Sequence, residues 1–409
     1  MKKILYITYD GLTDPLGQSQ ILPYILGLSK EGYRFTILSF EKEAAYRANQ
    51  SAIKEITEQH HISWVPLSFT VKPPVLAKFY DAIRMKRTAL RLHRQEHFDM
   101  VHCRSYPASE IGLLLKRKTG VRFLFDMRGF WADEKRDGGA WPDSHPVFKR
   151  VYRHYKKKES EFVSEADAII SLTENGRSEL MTWKAYDKNI PVSVIPCCAD
   201  TDLFTSTSSG QKQEARKILG IDQDRLVVSY LGSVGSWYML DEMLALFKTV
   251  RKEYPDALFL FISHSDPSYI RAQATEAGLE PEAIIIRKAT RQEVPVLAKA
   301  SDINISFIRP VYSKKSSSPT KLGEILSMGI PAIVNAGVGD VDAIVQRVEG
   351  GLILEDMSEM SFAKAVASIP RLLQTDPQLL RTKAMEIYDL KRGVELYSSV
   401  YKTVLAKRS

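Results

Sequence analysis

Short apolar runs rich in β-branched residues alternate with longer stretches of helical periodicity along the whole chain. In the first half KILYITYD (3–10), RFTILSF (34–40), MVHCRS (100–105), RFLFDMRG (122–129), DAIISLT (167–173) and VSVIPC (192–197) read as strands. Between them lie helical QSQILPYILGLSKEG (18–32), ASEIGLLLKRKTG (108–120) and PVFKRVYRHYKKKESEFVSEA (146–166). Strand, helix, strand in repetition means parallel pairing through right-handed crossovers. Residues 1–200 therefore predict one doubly wound α/β domain.

Around 199–215, ADTDLFTSTSSGQKQEA loses periodicity and reads as a linker. The alternation then restarts with strands LVVSYLGS, ALFLFIS, AIIIRK, INISFIR, IPAIVN and GLILE, and helices DEMLALFKTVRKEY, PSYIRAQATEAG, RQEVPVLAKAS, TKLGEILSMG and DVDAIVQRVEG. This predicts a second doubly wound domain over 201–387. The last helical stretch, about 388–409, is expected to cross back onto the first domain. Two such domains facing each other form a central cleft, and ligands of open α/β sheets bind outside the strand ends.

Composition narrows the reading. A chain of 409 residues exceeds what one core usually supports, and 44% hydrophobic with 26% charged residues is ordinary for a folded protein. No apolar run approaches the roughly 20 residues of a membrane-spanning helix. MKKILYITYD reads as a first strand rather than a leader, because Asp10 ends its apolar run. The three cysteines, Cys103, Cys197 and Cys198, have no metal-ligand spacing, and the adjacent pair is unsuited to an ordinary bridge. A cytoplasmic protein without metal is expected.

The net charge of +8 is uneven, with 31 Lys+Arg against 24 Asp+Glu in residues 1–200 and 26 against 25 in the rest. Segments 78–95 and 148–158 mix cations with apolar and aromatic residues, as helices on an anionic membrane surface do; a solvated helix face is the other reading. Nucleic acid is not an expected partner. Association with the inner face of the plasma membrane is.

Candidate chemistry sits at the strand ends. Gly17 and Gln18, after the first strand, offer backbone N–H groups at a helix start that suit a phosphate. An ordinary loop capped by Ser19 is the alternative, and no GxGxxG supports a dinucleotide. YLGSVGSWYMLDEML opens the second domain in the same way with Gly232, Ser233 and Gly235. Two DxD sequences, Asp200/Asp202 and Asp340/Asp342, lie in the linker and at a helix start, positions that speak against a magnesium site. Arg128, Asp133 and Glu134 crowd a glycine-containing loop after one strand, and Arg104 ends another on the same side of its sheet. In SSSPTKLGEILSMG, the hydroxyls of Ser316 and Ser318 precede Thr320 and Lys321 at a helix start, with Glu324 one turn in.

In this order the motifs resemble the retaining sugar transferases of glycosyltransferase family four, from the glycine loop after strand one through VIPCCADTDLF, YLGSVGSW, VPVLAKASDINI and KLGEILSMGIPAIVNAGVGDVDAIV to GGLIL. The resemblance implies the GT-B architecture of two Rossmann-like domains. It implies a nucleoside diphosphate sugar in the second domain and a saccharide or lipid-linked acceptor, for a cell-surface polymer, in the first. Glu324 matches the second glutamate of the family's pair, which contacts ribose, while Ser316 stands where the first belongs. Ser233 and Tyr238 stand where an arginine and a lysine usually face the diphosphate, so Lys321 is the expected replacement, assisted by Arg309 or Arg128. Arg287, ending the IIIRK run, joins the nucleotide-binding set. Arg128 stands where many members carry a histidine, and its expected role is electrostatic. Arg128, Lys321 and Glu324 are thus the catalytic candidates, and Arg104, Arg128, Asp133 and Glu134 the acceptor-binding ones. No cofactor is implied beyond the donor. A sugar-nucleotide epimerase, or a silent partner in a polymer assembly complex, are the competing expectations.

Overall fold

The computed structural model describes residues 1–70, 74–235 and 237–406. It divides into two compact units, one formed by Met1–Pro196 with the C-terminal helix Leu390–Ala406, the other by Cys197–Asp389.

In the first unit, strands β1 (Lys2–Thr8), β2 (Tyr33–Glu41), β3 (Ser63–Ser68), β4 (Met100–Arg104), β5 (Arg122–Asp126), β6 (Ala168–Ser171) and β7 (Val192–Val194) form a sheet in the order β3-β2-β1-β4-β5-β6-β7. All pairs are parallel. Helices cover both faces, so central strands are buried without alternation, and every residue of MVHCR, His102 and Arg104 included, is buried. The pattern along the chain does not announce β3. Its SWVPLS carries Pro66, which lacks an N–H and is tolerated because β3 is the sheet edge. The expected helix over 18–32 is two helices, Pro15–Gln20 and Leu22–Lys30, broken at Ile21. The C-terminal helix packs on Leu22–Lys30 and buries Tyr397, Val400, Tyr401 and Val404.

In the second unit, β8 (Val227–Leu231), β9 (Leu258–Ile262), β10 (Ile284–Arg287), β11 (Ile303–Ser306), β12 (Ala332–Asn335) and β13 (Gly351–Leu354) run in the order β10-β9-β8-β11-β12-β13, again parallel. The expected linker ends sooner than its composition indicates. A helix, Ser209–Leu219, starts inside it because Ser208 and Gln211 form a reciprocal capping box, and only Ala215, Arg216 and Leu219 face inward. The helix expected over 291–301 shrinks to Val294–Ala298, since Glu293 accepts from the Thr290 N–H and hydroxyl and holds residues 290–293 in a turn.

Each sheet reverses its strand order once, between β1 and β4 in the first unit and between β8 and β11 in the second. Loops leaving neighbouring strands diverge there and open a crevice at the carboxyl ends.

Candidate functional site

At the second unit's switch point the loops after β8 and β11 are sewn together. Met239 N donates to the Phe307 carbonyl at 3.1 Å and Arg309 N to that of Trp237 at 2.9 Å. Asn335, buried at the end of β12, accepts from Ile308 N and donates to the Ile308 carbonyl, both at 2.8 Å. Between these loops starts the helix Thr320–Ser327, with Pro319 at its N-cap and no capping side chain among the described residues. Its first backbone N–H groups have no intrahelical acceptors, and its positive dipole end faces the crevice.

Lys321 extends from this helix start across Gly232, so closely that a Cβ at 232 would collide with Nζ. Gly232 also has φ of +138°, a backbone state that side chains resist. The ammonium lies 4.9 Å from the Tyr238 ring centre, and Lys314 Nζ lies 3.8 Å from that of Trp237. The two aromatics under the glycine loop thus hold cations by their ring faces. One turn along, Glu324 is 6% exposed, and burial lifts its carboxyl to about 7 against the pull of Arg291 and Lys321. Arg291 Nη1 stands 3.5 Å from Glu324 Oε1, and its guanidinium lies 5.7 Å from the Phe204 ring. Arg291 is the member that sequence reasoning missed. It lies in the turn preceding a helix, and only its nearness to Glu324 marks it.

Gly232, Thr320, Lys321 and Glu324 therefore come together, with Ser233 exposed beside them and Arg309 exposed on the joined loop. Ser316 does not present its hydroxyl: it is 2% exposed and donates to the Ser313 carbonyl at 3.0 Å. Ser318 accepts from Cys197 N at 3.0 Å and fastens the loop to the start of the unit. Arg287 is exposed at the sheet edge and folds onto its own strand, donating to the Ile286 carbonyl. The DxD carboxylates serve turns, Asp200 accepting from Leu203 N and Asp342 from Gly337 N. Among the described residues no cluster of three His, Cys, Asp or Glu side chains is grouped as metal ligands.

The glycine loop of the first unit differs from its expected form. Gly17 lies inside the helix Pro15–Gln20, where a Cβ would strike the Gly11 carbonyl, so its smallness serves packing. The Gln18 amide donates to the Thr13 carbonyl at 2.9 Å. The loop amides are already occupied: Leu12 N and Thr13 N donate to the buried Glu41 carboxylate at 2.9 and 3.1 Å, and Ser39 Oγ joins them at 2.6 Å. An internal carboxylate thus holds the two loop amides ahead of the helix that carries Gly17 and Gln18. Asp133 is likewise spoken for. It lies on a helix, Trp131–Asp137, instead of a loop, is 2% exposed, and accepts from Tyr152 and Lys156 at 2.7 and 2.9 Å. Glu134 is half-buried on the same helix.

Two arginines stand at the strand ends beside that loop. Arg104, the last residue of β4, is 4% exposed, with Nε 3.4 Å from Asp10 Oδ2. Arg128, two residues past β5, has φ of +52°, a strained state for a residue with a side chain. Its Nη1 is 4.0 Å from Oδ1 of the fully buried Asp126. Burial alone would raise the Asp126 carboxyl, but Arg128, His102 and Arg104 outweigh it and hold the group below its ordinary range.

Residues 24–203 match the family described as Glycosyltransferase Family 4, and residues 211–375 that described as Glycosyl transferases group 1. Over 339 residues the chain is 21% identical to UDP-Gal:alpha-D-GlcNAc-diphosphoundecaprenol alpha-1,3-galactosyltransferase of Escherichia coli, covering 80% of this chain and 82% of that protein. Among solved structures, sucrose-phosphate synthase from Thermosynechococcus elongatus is similar with a TM-score of 0.74 at 15% identity, covering 99% of this chain and 100% of that one. Anabaena HepE in complex with UDP-glucose is similar with a TM-score of 0.72 at 14% identity, covering 98% and 100%. At such identities the structural likeness speaks to the fold.

Proposed function

The chain belongs to glycosyltransferase family four, with the GT-B fold of two Rossmann-like units, and on that premise we propose that it transfers a sugar, with retention and without metal, from a nucleoside diphosphate sugar to a saccharide or lipid-linked saccharide in cell-surface polymer synthesis. The observation that carries the donor site is the packing of Lys321 across Gly232 at a helix start, with buried Glu324 one turn further. A cation and helix-end amides answer the diphosphate, and the Glu324 carboxylate accepts hydrogens from ribose hydroxyls. In the transfer the bond from the sugar's anomeric carbon to the diphosphate oxygen breaks. A new bond forms to the acceptor oxygen on the same face, and the leaving diphosphate takes the acceptor's hydroxyl proton. Lys321 stabilises the charge that collects on the diphosphate.

Arg104 and Arg128 in the first unit suit an anionic group of the acceptor, such as the phosphate of a lipid-linked saccharide. The Escherichia coli relative's name specifies UDP-Gal and a diphosphoundecaprenol acceptor, which supports this pairing of substrates. The basic helices Pro74–Glu96 and Pro146–Glu165, the first with Phe79 and Tyr80 exposed, would meet an anionic membrane, through attraction that salt screens. Among the described residues no helix is long and apolar enough to cross one.

Calorimetric titration with UDP tests the donor site. Lys321→Ala and Glu324→Ala are each expected to lose about 1–3 kcal/mol of binding, and unchanged affinity in both would remove the site from this helix. Transfer that stops on adding EDTA would overturn metal independence, and an inverted anomer in the product's NMR spectrum would overturn retention.

A further inference from the structure

Glu324 is buried one turn into its helix, and cations from two elements act on its carboxylate: Lys321 on the same helix and Arg291 in the turn after β10. Arg291 Nη1 stands 3.5 Å from Oε1. At that separation the guanidinium compensates the charge without closing a short bond on the oxygen. The arginine is held there from both sides. Thr290 N and Oγ1 each donate to Glu293 at 2.8 Å, which fixes the turn that carries it, and its guanidinium lies 5.7 Å from the Phe204 ring centre. Phe204 is itself 1% exposed, and Arg381 donates to its carbonyl at 2.6 Å and to that of Ser327 at 2.5 Å. The ring beside Arg291 and the helix that carries Glu324 are thereby tied to one another.

The two neighbouring hydroxyls of a ribose need two acceptor oxygens, and a carboxyl group supplies both only while it is ionised. Burial works against that state. It lifts the Glu324 carboxyl to about 7, with Asp200 pushing the same way and Arg291 and Lys321 opposing. Lys321, extended across Gly232, is the cation assigned to the diphosphate, whose negative charge cancels its pull on Glu324 once the donor is bound. Arg291 then remains as the compensating charge, and a guanidinium keeps its proton at every working pH.

We infer that Arg291 is a positioning residue for the donor, holding the Glu324 carboxylate ionised and in place for the two ribose hydroxyls. This rests on the reading of Glu324 as the ribose acceptor. The test is calorimetric titration of the full chain with UDP and with its dideoxy analogue, which lacks both ribose hydroxyls, from pH 5.5 to pH 9. The ratio of the two affinities cancels the titration of the diphosphate and of the groups that meet it. Wild type is expected to favour UDP about tenfold at the alkaline end, as for hydrogen bonds to a charged group, and to lose the preference as Glu324 takes up its proton. Arg291→Gln keeps a stem and an amide but no charge. Removing a cation makes the carboxyl hold its proton longer, so the midpoint of the preference is expected to move up by about 1 in pH, and Arg291→Lys to bring it back down. A wild type that does not bind UDP, or that binds both nucleotides alike throughout, overturns the reading of Glu324 and this inference with it. If wild type shows the preference and Arg291→Gln keeps the same midpoint, the inference alone fails. Equal weakening of both nucleotides with the midpoint unmoved is that same failure, since it marks a contact elsewhere on the nucleotide.

Discussion

Glu324 sits 6% exposed within reach of two cations, yet burial outweighs them and sets its titration near neutrality, at about 7. The folded protein therefore keeps this proton to about pH 7, whereas the unfolded chain releases it near 4.5. Between those values the folded state binds more protons, so stability falls as pH rises, by about 3 kcal/mol across the window. Urea unfolding at pH 4.5, 6 and 7.5 is expected to show this decline in wild type and to lack it in Glu324→Gln. An equal decline in the variant would assign it to other groups. Ser316 makes the opposite point at the same scale. A hydroxyl placed by sequence in a ligand loop is turned inward onto Ser313, so a small polar residue near a site need not face it.

Among the elements, the helix Ser209–Leu219 is fixed at the strand ends opposite the ligand crevice. Asp302, just before β11, receives Arg216 Nη2 and Val227 N, both at 2.7 Å, and Lys212 as well, joining the helix Ser209–Leu219 to the foot of β8. Arg216 is 4% exposed, so removing its counter-charge leaves a buried cation. Asp302→Asn is expected to cost about 3 kcal/mol in chemical denaturation, with UDP affinity retained in the variant that remains folded. A loss under 1 kcal/mol would show that the Ala300 and Gln223 carbonyls, which also accept from Arg216, suffice. At the opposite ends of the strands, Asn335 performs the corresponding task for the loop after β11. A single buried amide paired both ways with Ile308 sets where Arg309 and the lysine-bearing segment begin.

At the level of the molecule, the C-terminal helix belongs to the first unit although the whole second unit intervenes in sequence. Ending the chain at Asp389 removes the buried Tyr397, Val400, Tyr401 and Val404 from the first unit's core. Limited proteolysis of that variant is expected to cut within Met1–Pro196 and to spare Cys197–Asp389, whose core clusters are its own; equal protection of both would contradict it. Periodicity and turn chemistry act over a few residues, which is why the alternation of strands and helices and the doubly wound class were legible in the chain itself. The pairing of Lys321 with Glu324 was legible for the same reason, since residues three apart share a helix face. The edge strand β3 was not, because Pro66 is acceptable only where no neighbour needs its N–H. What remained for the tertiary structure were contacts between distant residues: Glu41 on the loop amides 29 residues away, Arg291 on Glu324 across 33, Tyr397 on Asp126 across 271. Which polar groups already have partners, and which are left for a ligand, depends on strands and helices meeting in space, and no local pattern encodes that meeting.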